Sequence, residues 1–195
     1  MDLIEVRRQL LVADPELPPI YQRVEYIKST GTQRLLITND FITGKQIRFV
    51  CQSDYSTSTQ VITGFGAAGG NWFGSQNGVY STGQADFTNV SLTDKVNVVM
   101  IFPSGSNTLY VNVDGVEKGI AVFTPHRALT LFGAQGSSSW FYSSVKVFSL
   151  TIDGVANLIP CYRLSDDEIG MYNTVTRSFL TNQGTGTFIK GPAVH

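Results

Sequence analysis

The stretch TLYVNVDGVEKGIAV, residues 108–122, decides the fold class. Apolar and polar residues alternate along Thr108–Val113, as in a strand with one buried face. Asp114-Gly115 follows, a dipeptide favoured in two-residue hairpin turns because both positions take a positive φ. Val116–Val122 then continues as a second strand. The stretch therefore predicts an antiparallel hairpin, and a second Asp-Gly pair, Asp153-Gly154, predicts another.

Short alternating segments of this kind recur from Tyr21 to the end of the chain, and Asn77-Gly78 is a third, weaker turn signal. The predicted strands are Tyr21–Ile27, Arg34–Thr38, Gln46–Gln52, Thr59–Phe65, Gly78–Ser81, Ala85–Val90, Val96–Phe102, Thr108–Val113, Val116–Val122, Leu129–Phe132, Val145–Ile152, Val155–Cys161, Ser178–Thr181 and Thr187–Lys190. Many short strands joined by glycine-rich turns predict an all-β, two-sheet antiparallel jelly-roll sandwich. We expect its first and last strands to lie close together.

The composition fits a small β-rich globular protein. The 195 residues suffice for one domain with a short appendage. Charged residues are 15% of the chain, against about 25% in an average soluble domain. The formal net charge of −1 argues against a nucleic-acid-binding protein and against a polybasic membrane-surface protein. No apolar run approaches the roughly 20 residues that a membrane-spanning helix needs, so no membrane insertion is expected.

The N-terminal segment, residues 1–19, differs from the rest, and we separate it from the jelly-roll domain over residues 20–195. Leu3, Val6 and Leu10 recur at helical spacing and predict a short helix over residues 2–13, which Pro15 ends. The helix either folds back on the domain or serves as an attachment or oligomerisation element. The acidic start argues against an export signal.

A second, shorter helical signal lies near the other end of the chain. Ser165 as a cap and Glu168 as its capping-box partner predict one helical turn over Ser165–Tyr172.

Signals for catalysis, cofactors and metals are weak. The glycine pattern at Gly64–Gly69 resembles a dinucleotide-binding fingerprint, but the residues that follow cannot open the helix that such a site needs. His126 is the only internal histidine, which excludes a metal site built from clustered histidines. A calcium site of Asp side chains and carbonyl oxygens stays open. We expect no cofactor and a non-catalytic protein.

The two cysteines, Cys51 and Cys161, each alternate with apolar residues along a predicted strand. This pattern predicts two buried, free thiols, with one long-range disulfide as the alternative.

Aromatic and amide residues concentrate in glycine- and serine-rich loops. Aromatic rings can stack on the apolar faces of sugars, while amides and hydroxyls bond to sugar hydroxyl groups. For the two tryptophans, burial in the core is an equal alternative. The candidate residues for binding a glycan or a partner are Asn71, Trp72, Asn77, Tyr80, Trp140 and Tyr142.

Three segments resemble the concanavalin A-like or laminin-G-like lectin fold: Leu109–Gly115, Leu129–Gly133 and Val145–Leu150. Four more segments resemble a module of that fold which is frequent in gut bacteria and their phages: Tyr21–Thr32, Ile159–Arg163, Gly170–Asn173 and Thr185–Phe188. The resemblance implies a non-catalytic phage virion structural protein, a capsid decoration or a head or tail fibre unit, assembled in the host cytoplasm.

The resemblance also implies partners. Other virion proteins would be contacted through Leu3, Val6 and Leu10 of the N-terminal helix, and the chain would be a homo-oligomer such as a trimer. Adhesion to cell-surface or mucus glycans is the candidate activity of the domain. The alternative is a free-standing bacterial carbohydrate-binding module at the cell surface or outside the cell. A glycoside hydrolase ranks third, because the Glu-x-Asp-x-x-Glu pattern of jelly-roll glycosidases is absent.

Overall fold

Two β-sheets make up the part of the chain that the computed structural model describes, residues 17–38, 44–54, 58–65, 72–105, 108–121, 129–135 and 140–194. The strands are β1 Tyr21–Arg23, β2 Ile27–Lys28, β3 Leu35–Thr38, β4 Gln46–Ser53, β5 Gln60–Phe65, β6 Trp72–Gln76, β7 Val79–Ser81, β8 Asp86–Phe87, β9 Val96–Ile101, β10 Thr108–Val113, β11 Val116–Ala121, β12 Leu129–Leu131, β13 Gly133–Gln135, β14 Trp140–Tyr142, β15 Val145–Ile152, β16 Ala156–Arg163, β17 Ile169–Asn173, β18 Ser178–Thr181 and β19 Ile189–Lys190.

The first sheet has eleven strands and the order β11-β10-β9-β4-β15-β16-β17-β18. Strand β1 pairs with β16, while β2 pairs with both β15 and β19. The last strand therefore lies beside one of the first, as the sequence predicts. The second sheet has eight strands and the order β14-β13-β5-β6-β7-β8, with β12 between β3 and β5. Its strands run antiparallel to their neighbours except for one short parallel pairing of β13 with β5.

The turn dipeptides explain the hairpins. Asp114 and Gly115 take φ values of 46° and 90°, which is the twist that a two-residue turn between paired strands requires. Strands β10 and β11 accordingly pair in register from Val113 opposite Val116 to Thr108 opposite Ala121. The hairpin predicted from residues 108–122 is confirmed. Asn77-Gly78, at 52° and 82°, turns β6 into β7 in the same way.

The main core lies between the two sheets. Alternation along β4 buries Ile47, Phe49 and Cys51 and leaves Arg48 exposed. Phe49 of the first sheet meets Phe73 of the second edge to face, with 5.7 Å between ring centroids. Buried residues of both sheets form one continuous apolar cluster. The two-sheet antiparallel sandwich is therefore the architecture of the described chain.

Strands β16 and β17 also carry a second, smaller apolar cluster on the opposite side of the first sheet. The ring centroid of Tyr21 is 4.9 Å from that of Phe179 and 5.2 Å from that of Tyr172. The cluster consists of Leu17, Tyr21, Ile159, Cys161, Tyr172 and Phe179. These two strands are buried on both faces, which explains why β16 reads as a nearly continuous apolar run.

No helix occurs in the described ranges, so the predicted fold class is corrected to an all-β sandwich without a helical element there. The helix predicted over residues 2–13 lies outside the described residues. The helical turn predicted over Ser165–Tyr172 is wrong, because a turn at residues 164–166 leads into strand β17. Pairing of β17 with β16 on one side and β18 on the other satisfies its backbone groups, and this outweighs the local capping signal.

Both cysteines are buried and unpaired, as predicted. Cys51 belongs to the core between the sheets, and Cys161 belongs to the second cluster. Within the described ranges, no helix has the length and apolar character required to span a bilayer.

Candidate functional site

The candidate surface is built around Trp72, the first residue of β6, which pairs with Gly64 of β5. The neighbouring Phe73 points into the core, so Trp72 lies on the outer face of the second sheet. Its side chain is partly exposed. A Cβ placed on Gly83 would lie only 3.1 Å from Cζ2 of the indole and 3.3 Å from Nε1. The indole therefore rests directly on the backbone of Gly83.

A short loop of the second sheet holds Gly83 in place. Thr82 N donates to the carbonyl oxygen of Ala85 at 3.1 Å, and Ala85 N donates to Thr82 Oγ1 at 3.1 Å. Gly83 N donates to Ser81 Oγ at 2.9 Å. Gly83 has a φ of +77°, a conformation that residues with a Cβ rarely adopt. The support beneath the indole is thus hydrogen-bonded and specific for glycine.

Polar side chains flank this surface. Asp86 of β8 pairs with Ser81 of β7, next to the loop that carries Gly83. Its carboxylate is on the exposed side of β8, whereas Phe87 is buried. A carboxylate accepts hydrogen bonds from sugar hydroxyl groups, and an indole stacks on the apolar face of a sugar ring. The exposed Gln84 follows Gly83 in the same loop. The Trp72 surface, defined as Trp72, Gly83, Gln84 and Asp86, can bind a neutral, hydroxyl-rich ligand.

Tyr80 is not part of this surface, because the structure places it in the core with no exposed area. Its hydroxyl donates to the carbonyl oxygen of Leu92 at 3.2 Å and accepts from Ser53 N at 3.2 Å. Burial raises the pKa of the Tyr80 hydroxyl far above its ordinary value. Its ring stacks on Phe73 with 5.7 Å between centroids. Tyr80 therefore joins the two sheets and is unavailable to a ligand.

The other candidate residues do not converge on Trp72. Asn77 is exposed at the turn after β6, five residues along the strand, or about 16 Å away at the usual rise per residue. Tyr142 is partly exposed on β14, three strands from β6 in the sheet order, or about 14 Å away at the usual strand spacing. A single sugar residue cannot span these separations.

The remaining predictions fall outside what the structure describes. Asn71 and the N-terminal residues Leu3, Val6 and Leu10 lie outside the described ranges. For Trp140 only the backbone is described, in β14 opposite Gln135.

Charged groups of the described chain form small structural pairs. Lys28 Nζ lies 2.8 Å from Asp54 Oδ2, and Ser144 Oγ donates to the same oxygen at 2.6 Å. Partial burial raises the pKa of Asp54, but the hydrogen bonds from Lys28 and Ser144 lower it by more, so it falls below its ordinary 3.8. Among the described residues, no three His, Cys, Asp or Glu side chains converge to hold a metal ion.

A groove that the sequence reasoning missed lies on the outer face of the first sheet. It has a volume of about 290 Å³ and is lined by Arg23, Val24, Glu25, Val50, Lys95, Phe148, Ser149 and Val194. The apolar positions of β15 that face the core are Val145, Val147, Leu150 and Ile152. The spacing of three between Val147 and Leu150 breaks the alternation and is the signal of a β-bulge at Phe148.

The comparisons with known proteins do not assign the chain to a family. No protein-family model matches the chain, and a search of the curated proteins finds no match. Among solved structures, a mutant of Trypanosoma rangeli sialidase displaying trans-sialidase activity is similar, with 16% identity and a TM-score of 0.43. The match covers 55% of this chain and 20% of that chain.

Proposed function

We propose that the chain is a non-catalytic, lectin-like structural unit of a phage particle, a capsid decoration or fibre protein that adheres to glycans. The fold is a jelly roll of the concanavalin A-like type. The observation that supports glycan binding is the position of Trp72. Its side chain is partly exposed on the outer face of the second sheet and is supported by Gly83. The proposed role in a phage particle is based on the resemblance of the terminal segments to phage and gut-bacterial modules.

The physics of the Trp72 surface fits an adhesin better than an enzyme. An indole on an open sheet face offers stacking area and few groups that could act on a bond. One stacked aromatic ring with a few hydrogen bonds gives weak binding to a single sugar residue, since association entropy offsets most of the gain. Assembly into a homo-oligomer overcomes this weakness, because several linked sites raise the avidity by orders of magnitude.

The particle supplies such an oligomer. The N-terminal segment contains Leu3, Val6 and Leu10, and we assign to these residues the contact with other virion proteins and with sister chains. The sandwich then projects outward with the Trp72 surface available to cell-surface or mucus glycans.

A glycan array probed with the full-length protein tests the glycan part. Trp72→Ala is expected to weaken the positive signals by roughly 1–3 kcal/mol of binding free energy, as removal of a central aromatic contact does. Tyr110→Ala is the matched control, because Tyr110 is an exposed aromatic residue, 39% accessible, on the other sheet. Equal loss in both variants, or an array without any signal for the native protein, contradicts the glycan-binding proposal.

Mass spectrometry of purified phage particles tests the structural part. We expect the protein in the particle fraction in a fixed ratio to the major capsid protein. Its recovery only from bacterial cell surfaces or culture medium would instead favour a free-standing carbohydrate-binding module.

A further inference from the structure

The groove on the first sheet owes its shape to a β-bulge. Strand β15 pairs with β4 through Val147 opposite Cys51 and then through Ser149 opposite Val50, so Phe148 has no partner on β4. A bulge turns the extra side chain out of the regular alternation. Phe148 and the next residue, Ser149, consequently both lie partly exposed on the outer face. Phe148 is in edge-to-face contact with Tyr26, with 5.4 Å between ring centroids.

Basic side chains surround this pair of rings. Lys95 Nζ lies 4.0 Å from the centroid of Phe148, and Lys146 Nζ lies 5.0 Å from the centroid of Tyr26. Arg23 also lines the groove, and Glu25 is its one acidic lining residue. Lys95 is exposed and forms no ion pair among the described residues. The groove thus combines an apolar floor with cations on a protein whose net charge is −1.

We infer that this groove binds a carboxylated sugar, with a hexuronate as the ligand class. Lys95 binds the carboxylate through charge-assisted hydrogen bonds. As Lys95 moves off the ring of Phe148 to reach the carboxylate, the uncovered face of Phe148 packs against the apolar face of the pyranose ring. Glu25 and Ser149 accept hydrogen bonds from ring hydroxyl groups. The volume of about 290 Å³ is at the lower end of the range for ligand sites and suits one sugar residue.

This site is separate from the Trp72 surface, since it lies on the first sheet and that surface lies on the second. It rests on the proposed function only in taking the ligand to be a glycan. A chain with both sites would recognise a neutral sugar on one face and an acidic sugar on the other. Its binding to the acidic sugar would weaken with added salt, because exposed charges are screened.

The test is an NMR titration of the full-length protein with methyl glucuronide and methyl glucoside, two sugars that differ in the carboxylate. We expect the glucuronide to shift the amide signals of Val50, Lys95 and Ser149 saturably, with the glucoside at least tenfold weaker. Lys95→Gln should weaken glucuronide binding about tenfold, the loss expected for one charge-assisted hydrogen bond. Lys118→Gln is the matched control, an exposed lysine of β11 that removes the same charge elsewhere.

Phe148→Leu tests the aromatic floor while keeping an apolar residue at the bulge, and it should weaken glucuronide binding at unchanged thermal stability. Equal affinity for the two sugars, or equal loss in the two lysine variants, overturns the inference. Glucuronide shifts confined to the signals of Trp72 and Gly83 overturn it and leave the proposed function intact. A short DNA duplex that shifts the groove signals more strongly than the glucuronide assigns the groove to nucleic acid and also overturns it.

Discussion

Gln33 Nε2 donates a hydrogen bond to the carbonyl oxygen of Thr185 at 3.2 Å, joining two segments that are 152 residues apart in the chain. Gln33 is buried, and its Oε1 accepts from Thr30 N at 2.7 Å and from Ser29 Oγ at 3.0 Å. One amide therefore fastens the loop after β2 to the loop after β18. The segments near the two ends of the described chain therefore hold each other in place.

Replacing Gln33 with alanine should lower the free energy of unfolding by about 2–3 kcal/mol, since buried hydrogen-bonding groups lose their partner. Urea denaturation measures the effect. Gln183→Ala is the control, because Gln183 lies in the same region with an exposed side chain, and its cost should stay within about 0.5 kcal/mol. Equal costs in the two variants would mean that the Gln33 amide does not join the termini.

Gly64→Ala should destabilise the second sheet. A Cβ at Gly64 would lie 2.1 Å from Cβ and 2.8 Å from Cα of Ala134 on β13, so the strands would have to separate, at a cost of about 2–3 kcal/mol. At Gly119 the nearest atom to an added Cβ is Thr108 Cγ2 at 3.5 Å, and Gly119→Ala should be neutral or stabilising by about 0.5–1 kcal/mol. Thermal unfolding measures the stability of both variants. Equal melting temperatures would contradict the steric argument.

Gly64 also shows where sequence reasoning succeeds and where it stops. The next described element after the glycine pattern at Gly64–Gly69 is strand β6, where a dinucleotide-binding site would need a helix. The first glycine of the pattern, however, serves the approach of β13, a strand that the alternation does not reveal. The hairpin at Asp114-Gly115 is predictable because turn chemistry and pairing are local. The pairing of β4 with β15 is set by packing between distant segments and leaves no local signal.

The candidate site is also only partly predictable from the sequence, because it depends on contacts between distant segments. The glycine-rich setting of Trp72 leaves display and burial as equal alternatives, and its support by Gly83 depends on the fold of another loop. Tyr80 was misplaced because alternation does not say which face of an outer strand is buried. Its hydroxyl accepts a hydrogen bond from Ser53 N across the sandwich, and this bond offsets the cost of burying a polar group. The fold alone brings the two residues together, so the sequence does not reveal the bond.

The two thiols should be unreactive in the native protein. Burial raises the pKa of Cys51 and of Cys161 to about 12 in each case, and the thiolate is the species that reacts with disulfide reagents. Titration with such a reagent at pH 8 should detect no thiol in the native protein and two thiols in denaturant. Detection of none in denaturant would indicate a disulfide. The cysteines belong to different apolar clusters, which argues against that outcome.

Stability should fall in acid partly through Asp54. Its pKa is lower in the folded protein than its ordinary 3.8, so the unfolded chain binds the proton more readily. The stabilisation that ionised Asp54 provides is therefore fully present above pH 3.8, and it is lost as the pH falls through the pKa of Asp54 in the folded protein. Asp54→Asn should reduce stability at pH 6 and differ less from the native protein at pH 3. Urea denaturation at the two pH values measures the effect. Asp94→Asn, at an exposed aspartate, is the control for removal of one negative charge and should change stability at pH 6 by less than about 0.5 kcal/mol.

The adjacent residues Trp72 and Phe73 provide the sharpest test of display against burial. Phe73 has no exposed area and contacts the rings of Phe49, Tyr80 and Phe87, so Phe73→Ala should cost about 3–5 kcal/mol of folding free energy. Trp72 faces the other way, is partly exposed and rests on Gly83, so Trp72→Ala should cost only about 1–2 kcal/mol, within the usual range for single substitutions.

Urea denaturation followed by circular dichroism measures both variants with the same probe. A cost for Trp72→Ala equal to that for Phe73→Ala would make the indole a packing residue that seals the outer face of the second sheet. Glycan binding would then have to lie elsewhere, because an aromatic ring that the fold requires for stability is already covered by protein and has no free face for a sugar.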